Sequence, residues 1–233
     1  RLRAIYTAEG AGRELASLLL EDAATEADPA ARAQLFLQAG RLLLAAEGGA
    51  PQAIEVLGQA RALRPDDQEI LLLLADASTA AGEVAQARAV LAQVIAAFKG
   101  RRAKQLAPVY LRLSRIESSE GNLSEALAAL SKAFEMDPSS GPVAMALGLQ
   151  AIDSSEFEIA SRAFRSVTMM KPAPAGSTEG VTSAQRAVAY YHLGDIARSQ
   201  GDARKARLMV EKAVSEDPSL EAARTLLEVL RAG

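Results

Sequence analysis

The chain has no cysteine and no tryptophan, a single histidine, and only 4% aromatic residues among 233. Without cysteine there are no disulfides and no thiol chemistry, although that alone decides no compartment. Valine, isoleucine and the aromatics are scarce, so strands are disfavoured. No sign of charge dominates: 26 Lys and Arg stand against 29 Asp and Glu, a net charge of −3. Such a balance gives no electrostatic footprint for nucleic acid. The longest apolar run, Ile70 to Ala75, is far too short to insert in a membrane. No signal sequence is visible and the first residue is Arg1. The expectation is therefore a cytoplasmic piece of a longer protein.

What the chain does have is alanine, leucine, arginine and glutamate, the strong helix formers, and a pattern that returns five times at a period of about 34 residues. Each occurrence runs from a small residue through a glycine-type turn to an alanine, and four of the five close on a proline. The closing prolines are Pro65, Pro138, Pro172 and Pro218. The turn residues are Gly48, Gly82, Gly121, Ser155 and Gly201, followed by Ala53, Ala87, Ala126, Ala160 and Ala206. Glycine at such a turn allows the left-handed backbone that ends a helix. Alanine lets two helices approach, and Leu57, Leu91, Leu130 and Phe164 fill the space between repeats. Proline cannot continue a helix and sets the register of the next repeat.

These positions resemble the tetratricopeptide repeat family over Gln34 to Arg231, most clearly at Ser131–Pro138 and Tyr190–Asp195. The resemblance implies an all-α, right-handed α-solenoid of helix-turn-helix repeats with a C-terminal capping helix. The expected division is a degenerate N-terminal half-repeat at 1–33 and five repeats at 34–67, 68–106, 107–140, 141–172 and 187–218. An exposed loop at 173–186 and a capping helix at 219–233 complete it. Segment Ala27 to Leu44 further resembles linkers in long multi-repeat proteins of gliding bacteria such as the myxobacteria.

Local features refine that outline. Asn122-Leu123-Ser124-Glu125 reads as a capping box. Asp28-Pro29 reads as a helix start with proline in the first turn, and Ser183 as an N-cap. The second repeat lacks its proline and carries extra residues, 97–102, which predict a lengthened second helix and a basic turn. Arg1 to Ala27 reads as a short helix, a break at Gly10 and Gly12, and a helix near Arg13 to Glu26.

Chemistry is sparse. His192 and Asp195 share a helix face, yet a lone histidine without a nucleophile suits a contact better than acid–base catalysis. There is no metal-ligand cluster, and Gly10-Ala11-Gly12 lacks the strand and third glycine of a nucleotide loop. Lys99, Arg101, Arg102 and Lys104 read as a solvated turn. The expectation is a non-enzyme without cofactor or metal.

The family resemblance implies that the first helix of each repeat lines a concave groove. The outward positions there are Gln38, Leu42, Leu72, Asp76, Thr79 and Ser118, together with the candidate partner-binding set Leu111, Arg112, Arg115, Met145, Leu149, Ile152, Tyr191, His192, Asp195 and Arg198. An apolar strip with a charged margin suits an amphipathic helix or an extended apolar segment of a protein partner. Some relatives clamp a partner's terminal carboxylate. The matching positions here are Gln38, Leu42, Leu73, Pro108 and Arg112, and only Arg112 fits, so no such clamp is expected. The resemblance to gliding-bacterium proteins implies a polarity or motility partner such as a small GTPase. The remaining readings are a structural spacer in a longer solenoid, or a regulatory domain of an enzyme outside this segment.

Overall fold

The computed structural model describes residues 12–173 and 180–232. Over that span there are twelve α-helices: α1 (Gly12–Thr25), α2 (Pro29–Ala45), α3 (Ala50–Leu63), α4 (Gln68–Ala80), α5 (Val84–Ala97), α6 (Ala107–Ser119), α7 (Leu123–Met136), α8 (Gly141–Asp153), α9 (Phe157–Met169), α10 (Ser183–Ser199), α11 (Ala203–Glu216) and α12 (Glu221–Ala232). The short helix expected before Gly10 and the middle of the expected loop, 174–179, lie outside the described residues. The chain forms two compact units, Arg1–Arg101 and Arg102–Gly233. In each, every helix packs on the next in sequence. The first helices of successive pairs also touch: α2 on α4 in the N-terminal unit, and α6 on α8, α8 on α10, and α10 on α12 in the C-terminal unit.

Helix pairs close where a side chain is missing. A Cβ added at Gly194 would sit 2.5 Å from Val210 Cγ2 and 3.1 Å from the Ala206 carbonyl oxygen; at Gly148 it would meet the Phe164 ring at 2.5 Å, and at Gly40 the Leu57 side chain at 2.6 Å. Leu57, Phe164 and Val210 are completely buried, so these contacts are where the second helix seats on the first. The corresponding places in α4 and α6 hold Ala75 and Ser114, both buried. The Ser114 hydroxyl is satisfied by donating to the Leu111 carbonyl at 2.8 Å.

Four of the turns within pairs share one geometry. The amides of Glu83, Asn122, Glu156 and Asp202 donate to the carbonyls of Ser78, Glu117, Ala151 and Ala197 at 2.7–2.9 Å. This six-residue closure needs a left-handed residue just before the donor. Gly82, Gly121 and Gly201 supply it at φ of 79–80°, and Ser155 adopts it at φ 60°. Between pairs, the Asp137 and Asp217 carboxylates accept from the amides and hydroxyls of Ser139 and Ser219, ending one repeat and aiming the next. Lys132 over Tyr110 (5.8 Å) and Lys212 over Tyr190 (5.6 Å) place the same cation–π contact in two repeats.

Several local expectations are corrected. α5 is not lengthened: it has 14 residues, as do α3, α7 and α11. Left-handed Lys99 and Gly100 stop it, and the extra residues become a turn leading to a short 3-10 helix at Lys104–Leu106. Asn122 occupies the N-cap place of α7 but makes no side-chain cap; its amide nitrogen donates instead to Glu117 at 2.9 Å. Glu125 does not close the box, and accepts from Ser124. The N-cap of α10 is Thr182 rather than Ser183, in a reciprocal capping box with Gln185. Asp28 does cap α2, accepting from the amides of Ala30 and Ala31. The last helix starts at Glu221, two residues past Ser219, because Asp217 engages the Ser219 amide and hydroxyl. Within the expected exposed loop, Val181 is fully buried. It lies against Gly141, where an added Cβ would be 2.4 Å from its Cγ2, and its carbonyl accepts from the Ala173 amide at 2.7 Å.

Three outcomes follow for stability. Gly194→Ala lowers it by about 1–2 kcal/mol, because overpacking at Val210 outweighs alanine's helix preference. Gly58→Ala, in mid-helix with nothing within 4 Å of the added atom, raises it by up to about 1 kcal/mol. Ser155→Gly relieves the left-handed serine and stabilises by about 0.5–1 kcal/mol. Urea unfolding of the three variants checks all of these values.

Candidate partner-binding surface

Pairing dictates which residues face outward. The residue after a pairing residue lies about 100° further round its helix, turned away from the second helix. In the C-terminal unit those residues are Arg115 after Ser114, Leu149 after Gly148, and Asp195 after Gly194. Val229 holds the same place in α12, after Glu228. Because the first helices pack in order, the four form a row: cation, apolar, anion, apolar. Arg115 is exposed, Leu149 is 41% exposed, Asp195 half-buried and Val229 59% exposed.

The other expected residues distribute around this row. Arg112, half-buried one turn before Arg115, donates to the Pro108 carbonyl at 3.2 Å. Leu111 and Ile152 are half-buried against the main core cluster. Met145 does not face outward: it is 9% exposed and belongs to that core, because its side of α8 is turned inward. Ser118 links α6 to α8 by donating to Gln150 Oε1 at 3.2 Å. Arg198 is exposed and pairs with Asp195 at 2.8 Å.

His192 stacks on Phe164 of α9, with centroids 5.0 Å apart and rings 9° from parallel, and it meets Tyr191 edge-on at 5.1 Å. Burial lowers its pKa below the ordinary 6.5, and the nearby charges of Asp195 and Asp153 offset only part of that. The imidazole is therefore neutral at pH 7. It stands between two aromatic rings, Phe164 and Tyr191.

Sequence reasoning missed the C-terminal side of this surface. A cleft of about 650 Å³ lies between α10 and α12, lined by Tyr191, Asp195, Arg198, Glu221, Ala222, Thr225, Leu226 and Val229. Ala223 and Leu227 carry the packing of α12, which leaves Val229 outside. The signal was its equivalence to Leu149. In the N-terminal unit, Leu42, Leu72 and Asp76 are half-buried, and Gln38 and Thr79 are exposed. Among the described residues, no cluster of three or more His, Asp or Glu could hold a metal ion, and no helix is long and apolar enough to cross a membrane.

No curated protein matches the chain in sequence. The same fold occurs in PilF of Pseudomonas aeruginosa, which is 12% identical with a TM-score of 0.63 over 99% of this chain and 94% of that one. It also occurs in YrrB, described as a TPR protein with an unusual peptide-binding site (15%, 0.56, 83% and 91%), and in MamA (17%, 0.56, 80% and 92%). At these identities the likeness is one of fold. Models of the tetratricopeptide repeat match residues 44–107, 107–140 and 187–220, together more than half of the chain. With its paired helices and repeated turns, the chain belongs to the tetratricopeptide repeat family.

Proposed function

We propose that the chain is a scaffold or adaptor module, and that the first-helix face of its C-terminal unit binds a segment of a protein partner. The observation that carries this is the apolar content of the outward row: Leu149 and Val229 stand in solvent where a purely structural repeat would place polar residues. Tyr191, Arg112, Arg115 and Arg198 beside them are residue types that concentrate binding energy. Affinity comes from apolar burial, and the rim charges set specificity. Met145 contributes by supporting α8 from within. The division into five repeats given above is part of the proposal. That YrrB is described as having a peptide-binding site supports a peptide-like occupant. A small GTPase or a motility complex rests on the sequence resemblance alone.

The second reading, a spacer within a longer solenoid, gives the opposite result in one experiment. Leu149→Lys and Val229→Lys alter only exposed side chains, so helicity and melting temperature are expected to stay near those of the parent. In affinity capture followed by mass spectrometry, a partner retained by the parent and depleted by both variants is the expected outcome. Equal recovery with parent and variants would exclude this face, and a folded parent that retains nothing would favour the spacer.

A further inference from the structure

We propose that the first-helix face of the C-terminal unit docks an amphipathic helix of fixed charge order, acidic where it crosses α6 and basic where it crosses α10 and α12. The inference rests on the partner-binding reading above and adds the chemistry of the partner.

The row itself carries the argument. Read from α6 to α12 it is Arg115, Leu149, Asp195, Val229. Arg112, one turn away on the same helix and bonded to the Pro108 carbonyl, lies beside the cationic end. Three carboxylates lie from α8 to α12: Asp153 at the end of α8 and Asp195 on α10, both near enough to act on the charge of His192, and Glu221 in the α10–α12 cleft. Arg198 is bonded to Asp195 and so balances one of the three. His192 adds no positive charge near neutral pH, because burial keeps it neutral. Face and charge therefore run in one direction, with apolar side chains between and beyond the two poles.

The spacing selects the kind of segment. Packed helices lie about 8–10 Å apart, so two helix steps put Arg115 and Asp195 roughly 20 Å apart. A helix lying across the face covers that distance in about 13 residues at 1.5 Å each. A matching segment has an apolar stripe, a carboxylate at one end and an ammonium or guanidinium three to four turns on. Exposed pairs contribute little each, so charge order sets orientation and partner choice, while the apolar stripe holds the segment in place.

Three synthetic 20-residue helices with the same leucine stripe test this. One carries two glutamates at one end and two lysines about 13 residues on, one carries glutamates at both ends, and one carries lysines at both. Fluorescence anisotropy at low salt is expected to show the mixed peptide binding about fivefold tighter than either uniform peptide, as two exposed charge pairs imply. The preference shrinks as salt is added. In an Arg112→Glu/Arg115→Glu variant, the preference moves to the all-lysine peptide. As an independent readout, the sole histidine gives one imidazole NMR signal, and docking the lysine end beside it lowers the His192 pKa further. Equal affinity for all three peptides, unchanged in the double variant, overturns the charge order and leaves the binding face standing. Failure of a folded protein to bind any of them overturns both.

Discussion

The architecture depends on a single steric condition: at one point in each helix pair, the first helix must present almost no side chain. Gly40, Gly148 and Gly194 leave no room for a Cβ against Leu57, Phe164 and Val210, so the second helix can lie close to the first. That closeness has a directional consequence. With the pairing residue pinned inward, helix geometry fixes the orientation of every other residue in the first helix. Arg115, Leu149 and Asp195 follow pairing residues, and their outward placement comes from the same packing that buries Phe164 and Val210. Fold and candidate site share one cause.

Repetition turns this local condition into a surface. Each pair buries its apolar side only against its neighbours, and the first helices stay in register because the turns within and between pairs are alike. Four turns close with the same six-residue hydrogen bond, and two aspartate–serine turns re-aim the chain between pairs. Where the chain departs from the repeat, the core absorbs the departure. The long connection before α10 is secured at its base by Val181, which fills the space Gly141 leaves open. α12 takes the first-helix place after α11, with Arg224, Glu228 and Arg231 exposed. Glu228 replaces the small residue that pairing would require.

Much of this was legible in the residues. The pairing glycines, the turn glycines, the alanines of the second helices and the closing prolines each have one physical role, and their recurrence reinforces the reading. What was not legible depends on rotation or on competition between polar partners. Met145 stands one turn before Leu149 and only about 40° from it round the helix, so the two share a sequence face, yet Met145 lies on the buried side of its edge and Leu149 on the exposed side. Val229 falls within the expected capping helix, and nothing in that helix alone says that Ala223 and Leu227, with Leu226 and Leu230 beside them, carry the packing and leave Val229 outside. Asn122 carries the sequence of a cap, yet its amide found Glu117 across the turn instead. Thr182 took the cap from Ser183 because Gln185, three residues on, completes its box. The extra residues after Ala97 gave no sign that Lys99 and Gly100 would both turn left-handed.

The claim at the centre of the account is that a partner meets the first helices and not the second. The absence of cysteine makes this directly measurable, since one introduced thiol is unique in the chain. Ser199→Cys places it on the exposed margin of the first-helix face, and Arg165→Cys places it on the exposed side of a second helix. The measurement is the rate of maleimide alkylation of each, with and without a partner recovered by capture. The account predicts that the partner slows reaction at position 199 in proportion to occupancy and leaves position 165 unchanged. Protection at 165 with free reaction at 199 would contradict it.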